Sequence, residues 1–167
     1  DEIASFYMSE AAGPVEVVRQ TAAGDVHPPG YYVLLHLWRS AFGSSEAAVR
    51  SLSVVLGTLA IPGIFLVGRQ LFGPWVGVTA AFLMAAMPTS IRFSQEARSY
   101  AFLTLAMIVA WYLAIRLTRE RNMLVAVGFT MVAILLPYIH YWGGPVLAAT
   151  IICAAAVLLP DRERRQR

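Results

Sequence analysis

Charge is missing from long stretches of this chain, and those stretches set its architecture. Eighteen uncharged residues separate Arg50 from Arg69, twenty-two separate Arg69 from Arg92, and seventeen separate Arg98 from Arg116. A further thirty-nine, from Asn122 to Pro160, are broken only by the polar and aromatic run His140-Tyr141-Trp142-Gly143-Gly144-Pro145. A membrane-crossing helix needs about 20 mostly apolar residues, within a range of roughly 17–25. The pattern therefore predicts an all-α polytopic membrane protein with five spans, at about 50–68, 74–91, 99–117, 122–139 and 144–160.

The N-terminal part reads differently. Gly30 to Phe42 is apolar and aromatic, but at 1.5 Å per residue it makes a helix only about 20 Å long, too short to cross a core of about 30 Å. With His36 and Arg39 in it, this segment is predicted to lie along the interface. Glu2 to Gln20 is mixed in character, surface-bound, and broken at Gly13-Pro14. One domain results, with residues 1–43 as an outer-face segment carrying interfacial helices, 44–160 as the helix bundle and 161–167 as a basic tail.

Composition agrees with a membrane setting. Of the 167 residues 58% are hydrophobic and only 14% charged, with a mean hydropathy of +0.62. Soluble domains carry roughly 25% charged residues, so the chain has too little charge to coat a water-facing surface. The thirteen basic residues are all arginine. They are scattered among apolar runs instead of forming a stripe, which argues against a nucleic-acid partner. Cys153 is the single cysteine, so no internal disulfide or cysteine-based zinc site is available. Alternating the five spans puts Arg69, Arg116, Arg119, Arg121 and the tail arginines on one side, which the positive-inside rule makes cytoplasmic. The weaker topology, with 30–42 spanning, would carry the N-terminal segment to the cytoplasm. The chain opens on Asp1-Glu2, with neither a signal peptide nor an initiator methionine, and an upstream helix belonging to a longer protein is expected.

The opposite side collects Asp1, Glu2, Asp25, His27, Arg92, Gln95, Glu96, Arg98, His140 and Tyr141 from three separate segments. Ionisable groups beside lipid are costly unless they pair or face a cavity; solvated loops would account for them without any site. Three segments stand out. Asp25-Val26-His27-Pro28-Pro29 sets an acid and an imidazole on one side of a rigid double proline, suited to a phosphate or a metal, or simply the acidic flank of a helix start. In Phe93-Ser94-Gln95-Glu96-Ala97-Arg98-Ser99-Tyr100, Ser94 is the expected N-cap of the next helix. That would put Glu96 and Arg98 in its first turn, where the helix dipole disfavours arginine unless an anion meets it. A plain Glu96–Arg98 or Glu96–Arg92 pair is the alternative. Asp1-Glu2 places adjacent carboxylates where one can serve as a general base, or can merely cap a helix.

These segments also carry a resemblance. Asp25-Val26-His27-Pro28-Pro29-Gly30-Tyr31-Tyr32, then Leu34-Leu35-His36-Leu37-Trp38, resembles the family-39-type glycosyltransferases of the GT-C fold. So do Phe42-Gly43-Ser44-Ser45-Glu46-Ala47-Ala48-Val49-Arg50, the span end Gly68-Arg69-Gln70-Leu71-Phe72-Gly73, and Ser94-Gln95-Glu96-Ala97-Arg98-Ser99-Tyr100. The order and spacing match over essentially the whole chain, in a superfamily that includes protein O-mannosyltransferases and the aminoarabinose transferase of lipid A. The resemblance implies transfer of a sugar from a polyprenyl-phosphate donor to a lipid, glycan or protein acceptor at the outer membrane face. It implies Asp1 as base, supported by Glu2, and His27 with Arg98 on the donor phosphate. Some members have lysine at the position of His27, whose own charge depends on pH near neutrality. Asp25 and Glu96 then orient these groups or hold a divalent metal cation, with Gln95, Tyr100, His140 and Tyr141 as accessory residues. Members also have further helices beyond those seen here, which help to form the donor groove.

The rest of the pattern reads as packing. Gly57, Gly63, Gly68, Gly73 and Gly77 allow close helix approach, Pro62 and Pro88 are expected to kink their spans, and Trp75, Trp111, Tyr138 and Trp142 fall near span ends. A secondary transporter would place ionisable groups at mid-membrane, and the predicted spans have none between their ends. A non-catalytic membrane scaffold would need no acidic cluster.

Overall fold

A computed structural model of the chain describes residues 2–24, 27–120 and 122–153. Regular structure among them is helical throughout: α1 (Glu2–Met8), α2 (Pro14–Gly24), α3 (Gly30–Phe42), α4 (Glu46–Phe72), α5 (Pro74–Ala86), α6 (Pro88–Gln95), α7 (Ser99–Arg119), α8 (Met123–Ile139) and α9 (Gly143–Cys153). The helix expected over 30–42 occupies those residues, and the break expected at Gly13-Pro14 separates α1 from α2.

Two helices, α4 and α7, are long and apolar enough to cross a membrane, and a third crossing arises if α5 and α6 count as one bent span. Only 28% of the most apolar stretch of α4 and of α7 is buried within the protein. Surfaces this apolar and this uncovered belong in lipid, so the chain is an integral membrane protein. α4 is the hub and packs against α5, α6 and α7, while α7 packs on α8. Where α4 crosses α5 the backbones nearly touch. A Cβ on Gly68 would sit 2.9 Å from the Cα of Gly77, and one on Gly77 would sit 2.6 Å from the carbonyl oxygen of Phe65. Small residues create this approach, which dispersion alone then rewards, because lipid offers no hydrophobic drive.

The kink expected at Pro88 is present: the apolar stretch at 74–91 is two helices, α5 and α6, bent by 59° at Met87. Pro88 has no N–H to donate and keeps the residue before it out of the helical region, so Met87 is extended at φ −70°, ψ 122°. α4, by contrast, runs through Pro62 as one helix. α8, at 17 residues, and the described part of α9 are apolar but shorter than the two long helices. Residues 154–160, the end of the expected last span, and the tail at 161–167 lie outside the described residues.

One expectation, that for Ser94, needs correction. It lies inside α6 and donates its hydroxyl to the carbonyl of Ile91 at 2.7 Å, so it does not cap the following helix. Arg98 holds the N-cap position of α7, in extended conformation and without a side-chain cap bond. The intervening Ala97 is 1% exposed and packed in the core with Tyr31 and Tyr32. Burying Ala97 fixes the chain between α6 and α7, and puts Glu96 and Arg98 ahead of α7 instead of in its first turn.

Candidate active site

α4 and α7 both begin at the same end of the bundle. At the far end, Arg119 donates to the backbone carbonyl of Gln70, tying their C-terminal turns together. At the near end, the segment before α3, the turn before α7 and the turn after α8 converge. The His27 and His140 rings lie 6.1 Å apart between centroids, and Tyr100 is 5.9 Å from His140. The guanidinium of Arg98 sits 5.4 Å over the ring of Tyr100, which in turn stacks on Phe93 of α6 at 4.6 Å.

His27 and Arg98 also line a narrow cleft with Ser5, Pro28, Tyr31, Tyr32 and Ser99. Its volume of about 10 Å³ leaves room for one water molecule. Tyr31 is held in place by its hydroxyl, 3.3 Å from that of Ser53, both groups being buried. On the other side of α1 lies a larger cavity of about 340 Å³, bounded by Ile3, Phe6, Ser44, Glu46, Val49, Arg50 and Ala97. That volume suits a small ligand. Glu46 and Arg50 form an ion pair at 3.0 Å on its wall. Sequence reasoning used these residues only as motif positions. Nothing in their spacing shows that α1 and the start of α4 wall an open cleft.

A second cationic centre holds α1 to α3. Arg39 is buried at 8% exposure. Its Nε and Nη2 donate to the Ser44 hydroxyl at 3.2 and 3.1 Å, and its Nη1 donates to the Ser9 hydroxyl at 2.8 Å and the Phe6 carbonyl at 3.0 Å. Glu10 lies 3.8 Å away, and the Phe6 ring faces the guanidinium at 4.1 Å. Beside it, Trp38 donates to the Ala48 carbonyl and the Ser51 hydroxyl, both at 3.0 Å.

The structure thus brings together His27, Arg98, Tyr100 and His140 among the expected residues. Glu96 instead pairs with Arg92 at 2.7 Å, one of the two pairings left open for it. Gln95 is exposed, and Tyr141 is 62% exposed. Asp1 and Asp25 lie outside the described residues, and Glu2 is the first residue of α1. Among the described residues no three His, Cys, Asp or Glu side chains gather as a metal centre would require. Burial, and then the positive influence of His27 and Arg98, pushes the His140 imidazole below its ordinary value. This is the signature of a partly dry, electropositive corner.

No curated protein and no solved structure matches the chain. The family model for dolichyl-phosphate-mannose-protein mannosyltransferase matches residues 26–165, nearly the whole length and including every group in the His27–Arg98–His140 cluster. The chain accordingly belongs to the dolichyl-phosphate-mannose-protein mannosyltransferase family, whose members are membrane glycosyltransferases of the GT-C type.

Proposed function

We propose that this protein transfers a sugar from a polyprenyl-phosphate-linked donor to a hydroxyl group of a lipid, a cell-envelope glycan or a protein. In this reading the reaction takes place at the outer face of a bacterial plasma membrane and inverts the anomeric carbon. Asp1 takes the proton of the acceptor hydroxyl as general base, with Glu2 beside it. The acceptor oxygen attacks the anomeric carbon, the bond from that carbon to the phosphate oxygen breaks, and polyprenyl phosphate leaves with the bonding pair. Charge grows on the phosphate as it departs, and donors already in position there lower the barrier most. His27 and Arg98 take that role. The observation that supports this reading is the convergence of His27, Arg98 and His140, from three segments distant in sequence, at one end of the bundle. The 340 Å³ cavity beside α1 suits the approach of a sugar-sized acceptor.

Membranes carrying the full-length protein, supplied with a panel of radiolabelled polyprenyl-phosphate sugars, test the proposal. Wild type is expected to move label to lipid, glycan or protein, and Asp1→Asn to lose at least about a hundredfold of that rate. Transfer that survives in Asp1→Asn puts the base elsewhere. An absence of transfer from any donor favours a non-catalytic membrane subunit. Chelation with EDTA in the same assay decides whether a divalent cation at Asp25 and Glu96 belongs to the reaction.

A further inference from the structure

Building on the donor-phosphate reading above, we propose that His140 serves that site as a neutral hydrogen-bond donor, with its single ring proton held on Nε2. α8 runs from Met123 to Ile139, and His140 caps it by donating its backbone N–H to the Leu136 carbonyl at 3.2 Å. Its extended backbone, at φ −160° and ψ 146°, turns the chain away from the helix axis. The chain then folds back tightly: Gly143 N–H donates to the His140 carbonyl at 2.8 Å, and Trp142 N–H donates to His140 Nδ1 at 3.2 Å. A backbone N–H can only donate, so Nδ1 must offer its lone pair. The ring proton is thereby confined to Nε2, because an imidazolium would set two donors against each other.

The surroundings favour the same state. The titratable and charged groups that meet His140 among the described residues are His27 from the segment before α3, Arg98 from the turn before α7, and Tyr100 of α7. Burial and the two basic neighbours all act against protonation. The spacing is fixed by backbone. A Cβ on Gly30 would fall 2.5 Å from the Tyr138 carbonyl oxygen, so the first turn of α3 presses directly on the last turn of α8. That contact lies close in sequence to both imidazoles and locks their separation. A neutral donor here adds a hydrogen bond to an oxyanion without adding a further positive charge.

The chain has three histidines, His27, His36 and His140, so ¹⁵N-histidine spectra of the full-length protein in nanodiscs are readable one ring at a time. The His140 signals are identified by their loss in His140→Gln. The expected spectrum shows the Nε2–H tautomer, with protonation only at a pH lower than an ordinary imidazole needs. Adding polyprenyl phosphate should shift the Nε2 signal. An Nδ1–H tautomer, or a ring that protonates as readily as an ordinary imidazole, overturns the proposal.

Transfer kinetics give the second arm. Glutamine places an amide N–H near the position of Nε2, and asparagine places one near Nδ1. His140→Gln is expected to keep the donor KM within about threefold, while His140→Asn raises it by roughly ten- to a hundredfold at an unchanged melting temperature. Equal impairment of the two variants, or none in His140→Asn, overturns the proposal. The two readings fail separately. A wild type that transfers sugar while polyprenyl phosphate leaves Nε2 unmoved defeats the role of His140 alone. A wild type that transfers nothing defeats the donor-phosphate reading, and the spectrum still decides the tautomer.

Discussion

Arg39 and Arg98 stand near the same end of the molecule and are used in opposite ways. Every guanidinium nitrogen of Arg39 donates within the protein, and an aromatic ring and a carboxylate complete its shell. It acts as a clasp that joins α1, α3 and the start of α4. Arg98 instead is gathered with other basic groups, His27 and His140, around aromatic Tyr100 and a narrow cleft. Arg39 is enclosed by the fold it holds together, whereas Arg98 lines a cleft, where the proposed function puts the donor phosphate. A positive charge near a lipid surface therefore says little by itself. What separates the two is their setting, one buried among helices and the other beside a cleft.

Substitutions at these arginines test the contrast. Arg39→Ala should have the largest effect. It removes buried hydrogen bonds to Ser9, Ser44 and Phe6 and costs about 2–4 kcal/mol, read as a clear fall in the thermal midpoint in detergent, with transfer lost along with the fold. Arg98→Ala should do the reverse, lowering sugar transfer about a hundredfold while the thermal midpoint stays at the wild-type value. If Arg98→Ala instead melts early and Arg39→Ala is folded but inactive, the two roles have been assigned the wrong way round. The smallest effect is expected from Arg116→Ala, which breaks the exposed 2.6 Å pair with Glu120 at the far end of the bundle. Solvent-exposed pairs contribute little, so neither the midpoint nor the transfer rate should change measurably.

Much of this contrast was legible in the sequence, and the reasons for the remainder are physical. The helical character, the 30–42 helix and the meeting of three segments follow from apolar run lengths and from which runs alternate. His27, Arg98, Tyr100 and His140 were nameable because few polar residues interrupt so apolar a chain. The break at Met87 was only half visible, because a proline in a membrane helix can be absorbed, as at Pro62, or can split the helix, as at Pro88. Which outcome occurs depends on neighbours that supply or withhold packing. Ser94 was misplaced because N-cap chemistry is local, whereas the burial of Ala97 against Tyr31 and Tyr32, which decides where α7 starts, comes from residues far away in the chain. Arg39 was visible only as a charge on an interfacial helix. Its clasp needs α1 to fold across α3, and no periodicity shows that.

The close crossing of α4 and α5 bears on how the chain is made. The contact between Gly68 and Gly77 is separated by only the short turn through Gly73-Pro74, so these two apolar helices can find each other with very little loop entropy to overcome. They are also suited to leave the ribosome and enter the bilayer as one hairpin, before α7 has been synthesised. The groups that build the cationic corner come from both sides of that hairpin in the sequence. A pair that forms this readily is suited to be the template on which the early and late segments come into register.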